Sequence, residues 1–151
     1  MRSAAWLRRH RGWFLLPTAV ALLAEACVEI REFDAGLAVV DDLLESADSG
    51  GARFFDAEIL RLKGDMHGYM GALENAEAAY GAARDVARSQ STKGVELRIA
   101  TSWLRFPFAH RPQSQEADEA RHLLEAMVAE FRTWPDVNYV RDAIALLAEG
   151  Q

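Results

Sequence analysis

Small residues recur at matched places about forty residues apart, and this limits the fold more than any other feature of the chain. The first copy, LLAEACVEIREFDAGLAVVDDLLES, covers residues 22 to 46. The second, LRLKGDMHGYMGALENAEAAYGAARDVARSQ, covers residues 60 to 90. Ala24 matches Gly64 and Gly36 matches Ala76, so twelve residues separate the small pair in each copy. Aliphatic or aromatic neighbours flank each small position at helical spacing. A repeat of this size marks stacked helical hairpins, in which small side chains let two helix backbones approach. Such an architecture makes a binding role more natural than a catalytic one.

The 151 residues suffice for one domain with a sizeable core. Few prolines and much Ala, Leu and Glu favour helix over strand. The net charge of -6 excludes a general basic field for nucleic acid. Cys27 is the single cysteine, so no intramolecular disulfide forms, and its apolar helical setting reads as a small buried hydrophobe. Arg2, Arg8, Arg9 and Arg11 precede Trp13-Phe14-Leu15-Leu16 in the manner of a secretory leader. Pro17 interrupts that run, however, and Glu25 and Glu29 follow it. No stretch approaches the roughly 18 apolar residues of a membrane span. The chain therefore reads as cytoplasmic, without a membrane partner.

Seven or eight helices in antiparallel hairpins are predicted. A short basic helix covers residues 2 to 11, and Gly12 to Pro17 is a break. Pro17 then opens a helix to Arg31 with Val20, Leu23, Ala24 and Cys27 on its apolar stripe. Its partner, about 34 to 46, carries Leu37, Val40, Leu43 and Leu44 and stops at Asp48-Ser49-Gly50-Gly51. The second pair places Phe55, Ile59, Leu62 and Met66 on one helix. Leu73, Ala76, Tyr80, Ala83, Val86 and Ala87 lie on the other. The third pair carries Leu97, Ala100, Thr101 and Leu104, then Ala120, Leu123, Leu124, Met127 and Phe131. Two prolines interrupt it between Phe106 and Gln115. A last helix bears Val140, Ile144 and Leu147. The whole forms one domain, 1–151, with repeats at about 17–51, 53–91 and 93–133 and a closing helix at about 136–149.

The second pair, AEILRLKGDMHGYMGALENAEAAYGAARDVARSQ, resembles a tetratricopeptide repeat. Gly64, Leu73, Ala76, Tyr80 and Ala83 stand where that repeat has its small and large positions. Ala24, Phe33, Gly36, Val40 and Leu43 match them in the first pair. FDAEILRLKG, ELRIATS and EARHLLEAMVAEF look more specifically like the C-terminal repeat region of bacterial multidomain proteins, predicted ATPases or adenylate/guanylate cyclase-like regulators. The resemblance covers about residues 12 to 149 and implies an all-α superhelical array of about three helix pairs with capping helices at both ends. Repeats near forty residues exceed the usual length of about 34. Gly36 and Leu43 stand where alanines are usual. The chain has no GxxxxGK[ST] motif and no cyclase-like aspartate pair, so the catalysis of the resembled proteins is not expected here.

No enzyme, cofactor or metal constellation emerges. Asp118 and His122 are four apart, as metal ligands can be, but read more simply as a solvated helical pair. Asp65 and His67 point to different faces. His110 lies in the proline-bearing loop and His10 in the basic N-terminal stretch. Asp41-Asp42 and Glu116 to Glu119 read as solvated faces.

In the resembled arrays the first helix of each pair lines a concave groove for a peptide or partner protein. Carried over, those positions are Thr18, Glu25 and Glu29, then Glu58, Arg61, Asp65 and Tyr69, then Arg98, Ser102, Arg105 and Phe106. The predicted groove is acidic at one end and arginine-bearing at the other. A non-catalytic interaction scaffold or regulatory module, linked to a signalling ATPase or cyclase, is the first expectation. Self-association through Trp6, Trp13 and Phe14 is a second. The alternative is a small enzyme or ligand-binding protein with His67, Tyr69, Arg98 and Arg105 around a pocket.

Overall fold

The computed structural model describes residues 3–47, 55–106, 113, 115–131, 133 and 137–149, with the backbone alone at 3–16, 46, 47, 116 and 119. Among these residues the fold is all-helical, with seven helices and no strand: α1 (Ser3–Ile30), α2 (Phe33–Ala47), α3 (Asp56–Tyr69), α4 (Leu73–Ser89), α5 (Lys93–Arg105), α6 (Gln115–Glu130) and α7 (Asn138–Glu149).

The N-terminal end departs from expectation. The separate basic helix and the break before Pro17 are absent, and one 28-residue helix runs through Pro17. Proline withdraws one backbone donor and crowds the preceding turn, which is why its position predicts a break. Here Pro17 is buried on the inner side of α1, in line with Val20, Ala24 and Cys27. The side chains of Trp6, Trp13 and Phe14, the Asp48 to Gly51 stop and the prolines at 107 and 112 lie outside the described residues.

Three predicted inward residues face out instead. Leu23, Leu123 and Ile144 are all exposed, because the buried stripes run through Ala24, through Leu124 and Met127, and through Val140 and Ala143. Each is displaced by one residue around its helix, enough to turn a side chain by about 100°.

Three turns share one construction. The N–H of Glu32 donates to Cys27 O at 2.9 Å and that of Arg31 to Val28 O at 3.3 Å. Ala72 to His67 (2.9 Å) with Gly71 to Gly68 (3.1 Å), and Thr92 to Ala87 (3.0 Å) with Ser91 to Arg88 (3.1 Å), repeat the pattern. This is the Schellman motif, which satisfies the last carbonyls of a helix by placing one residue in the left-handed region. Those residues are Arg31 (φ 62°), Gly71 (φ 74°) and Ser91 (φ 56°). Only one is the glycine that favours this region without strain. The residue after each one immediately precedes the next helix, so the chain reverses within two or three residues.

These reversals build a stack with a preferred side. α1 packs on α2 and α3, α3 on α4 and α5, and α5 on α6 and α7. The odd-numbered helices thus form a continuous inner layer. Three apolar clusters fill the stack in sequence. Val20, Ala24, Val40, Ile59, Leu62 and Met66 join α1 to α3. Ala57, Ala76, Tyr80, Ala83, Ala87 and Ile99 join α3 to α5. Leu97, Leu104, Leu124, Met127, Val140 and Ala143 join α5 to α7. Cys27 is buried, as a small hydrophobe would be.

The small positions that open the sequence argument mark the closest approaches. A Cβ on Gly64 would stand 2.4 Å from the Tyr80 ring, and one on Gly36 2.5 Å from Met66 Sδ. Ala24 and Ala76 are wholly buried. Gly64→Ala is expected to destabilise the fold by about 1–3 kcal/mol through overpacking against Tyr80. Ser91→Gly relieves left-handed strain and should stabilise it by roughly 0.5–1 kcal/mol, measured for both variants by urea denaturation.

Candidate functional site: the inner groove

One stripe of α3 sets the chemistry of the inner layer. Glu58, Arg61, Asp65 and Tyr69 follow at three- and four-residue intervals and so share one helical face. α1 brings Glu25 and Glu29 beside them, and α5 brings Arg98, Ser102 and Arg105. All of these except Glu58 line a single cavity of about 190 Å³. The closing helix α7 adds Tyr139 and Asp142 to its wall, two residues the sequence argument did not single out.

The floor of this groove is an ion-pair network. Arg61 holds Glu58 with two bonds, Nη2 to Oε1 at 2.7 Å and Nε to Oε2 at 3.1 Å. Its Nη1 donates to Asp65 Oδ2 and to Ser102 Oγ, the latter at 3.3 Å. Tyr80, reaching across from α4, donates its hydroxyl to Asp65 Oδ1 at 2.7 Å. Arg98 Nη2 meets Glu58 Oε1 at 2.8 Å and Glu25 Oε1 at 3.7 Å. Five helix-borne charges, two arginines and three carboxylates, thereby bind α1, α3 and α5 together.

Burial sorts these residues into two roles. Arg61 is 6% exposed and Asp65 7%, so neither offers free charge to a partner. Burial alone pulls the Arg61 pKa down, but Asp65 and Glu58 outweigh it and hold the guanidinium above its ordinary value. Burial, followed by the Asp65 charge and its hydrogen bond, pushes the Tyr80 phenol well above 10.0. Tyr80 is therefore a fixed donor and Asp65 its fixed acceptor. At the rim, Arg98 is half-buried and Arg105 and Glu29 are exposed. Among the described residues Arg105 has no carboxylate within ion-pair distance.

The acidic and arginine-bearing sides do not form the two separated ends that the sequence predicts. Arg98 reaches across to Glu25 because α1 and α5 both flank α3. At one edge an aromatic row continues the groove. Phe33 stacks on Tyr69 at 5.5 Å between ring centroids and 4° between planes, and Phe106 meets Tyr69 edge-on at 4.7 Å. Arg31 lies 6.0 Å from the Tyr69 centroid. Phe33 opens α2, whereas Tyr69 closes α3 and Phe106 follows α5, so the row is assembled by the stacking of the helices and not by repeat-equivalent positions.

The residues of the alternative pocket do not converge. Tyr69, Arg98 and Arg105 line the cavity, whereas His67 stands beside Lys63 and Asp41 on the α2 side of α3. Burial and Lys63 lower the His67 pKa, and Asp41 partly restores it. His122 pairs with Glu125 at 3.3 Å on an exposed face, and Asp118 is exposed. Among the described residues no group of three His, Cys, Asp or Glu side chains is placed to hold a metal ion. None of the described helices is long and apolar enough to cross a membrane. No known protein family, curated protein or solved structure matches the chain.

Asp65→Ala leaves Arg61 buried beside one fewer carboxylate and should cost about 3–5 kcal/mol. Tyr80→Phe, which removes one donor from a buried carboxylate, should cost about 1–3 kcal/mol. A folded phenol pKa above its unfolded value means that the Tyr80 contribution is intact below pH 10 and lost as pH rises further. Urea denaturation should therefore show wild type losing stability above pH 10 more steeply than Tyr80→Phe.

Proposed function

We propose that the chain is a non-catalytic interaction module of tetratricopeptide type, which holds an extended peptide or partner segment against α1, α3 and α5. The observation that carries this reading is the convergence of Glu25, Glu29, Arg61, Asp65, Tyr69, Arg98, Ser102 and Arg105 on one cavity. These are the positions that the resembled repeats use for their ligands. The small residues at 24, 36, 64 and 76, the three like turns and the stacking of odd-numbered helices support the same repeat type.

The network on the floor decides what kind of ligand suits the groove. Arg61, Asp65 and Glu58 satisfy one another and hold the wall rigid. Binding energy then comes from the rim, where Arg105 is free and Arg98 is partly available. A carboxylate on the ligand, from an acidic side chain or a chain terminus, fits those two guanidinium groups. An apolar neighbour in the ligand fits Tyr69 and Phe106. Tyr139 and Asp142 close the far side and suit a backbone N–H. The resemblance extends the proposal to a regulatory partner, a signalling ATPase or cyclase-like protein.

Peptides selected from a random displayed library should share an acidic residue beside an apolar one. Their affinity should fall about tenfold or more on Arg105→Glu, with helicity by circular dichroism unchanged. Ser91→Gly, at a turn away from the groove, should leave the affinity unaltered. Selected peptides that bind equally well to Arg105→Glu would overturn the groove as the binding site.

A further inference from the structure

A larger groove lies away from the inner layer. α4 and α6 both pack on α5 and leave between them a cavity of about 570 Å³. This falls within the range of about 300–1,000 Å³ typical of small-molecule sites. Ile99 and Ala100 form the floor, and Leu123 and Met127 rise from α6. Leu123 is an exposed large apolar side chain, and this groove is where it lies.

The charges around this cavity are uneven. Arg88 and Lys93 share Glu96, each at 3.9 Å, and Glu130 adds a second carboxylate to the lining. Arg84 is different. Its guanidinium lies over the Trp103 ring, 4.9 Å from the centroid, which holds it against the wall. Its Nε is buried without a hydrogen-bond partner, and no carboxylate is within ion-pair distance among the described residues. A cation without a carboxylate partner therefore stands beside an apolar wall, in a protein whose net charge is -6. Electrostatic steering from the whole protein would not draw an anion here. The local pairing would have to select it.

We propose that this groove binds a small amphipathic organic acid, with its anionic head on Arg84 and its apolar body against Trp103, Leu123 and Met127. The volume suits a ligand of this size, and a lining of three cations (Arg84, Arg88 and Lys93) and two carboxylates (Glu96 and Glu130) suits one negative charge. The proposal does not depend on the inner groove, since the two cavities share no residue.

The probe is 8-anilinonaphthalene-1-sulfonate, with its uncharged analogue N-phenyl-1-naphthylamine as the control for apolar burial. Fluorescence titration of the full chain should show one saturable site for the sulfonate, displaced by decanoate at about tenfold lower concentration than by decanol. Arg84→Gln should weaken the sulfonate about tenfold or more and leave the uncharged analogue within about twofold. Leu123→Trp should fill the cavity and abolish binding of both. Thermal melts of each variant establish that the fold is retained. Equal affinity of wild type and Arg84→Gln for the sulfonate would overturn the proposal, as would equal loss of both probes on that substitution. A dimer seen by light scattering and dissolved by Leu123→Trp would assign the groove to a second copy, and would overturn it too.

Discussion

The close approach of α3 and α4 at Gly64 is the constraint on which the other features depend. Removing a single Cβ lets the Tyr80 ring come up against the α3 backbone. Only from there does the phenol reach Asp65, and Asp65 in turn fixes Arg61. Arg61 then orients Glu58, which takes Arg98 from the next pair. A packing decision inside one hairpin thus sets the electrostatic layout of a surface that three helices share. The same decision explains why two oppositely charged residues are tolerated in a nearly dry setting. Each has its donors and acceptors met, and burial of an unmatched charge is avoided.

The inner groove and the α4–α6 groove use charge in opposite ways. In the first, cations and anions interlock and leave the selective work to a rim. In the second, one guanidinium is held over an indole with no carboxylate beside it among the described residues. A stack of hairpins can carry both because α5 turns a different face to each side. Residues on the odd-numbered helices serve one side, while α4 and α6 flank the other.

Much of the fold is legible in the sequence. The helical period of Val20, Ala24 and Cys27 or of Ile59, Leu62 and Met66 is strong, and the matched small residues identify the helix crossings. Pro17 misleads because its rule is local, whereas the buried stripe on which it lies continues through it. Leu23, Leu123 and Ile144 mislead because the edge of an apolar stripe is set by the neighbouring helix, which lies far away in sequence. The groove residues on α3 come from the repeat resemblance, and their spacing alone places them on one face. Their burial does not follow from that spacing, since it depends on Ser102 and Tyr80 arriving from α5 and α4. A tyrosine amid alanines did carry a signal, because a buried phenol needs an acceptor. The α4–α6 groove left none, since its width depends on how far apart two helices stand against a third.

The Arg98 side chain bridges Glu58 and Glu25, at 2.8 Å and 3.7 Å. Mechanically it is a strap across the mouth of the inner groove, firm on the α3 side and loose on the α1 side. Glu25 is exposed, so dissolved salt screens the loose end, while the Glu58 end, held by buried Arg61, is sheltered. Ionic strength would then act as a tuning knob for the spacing between α1 and α5 without melting either helix. An array of this kind would hold its shape and change its grip.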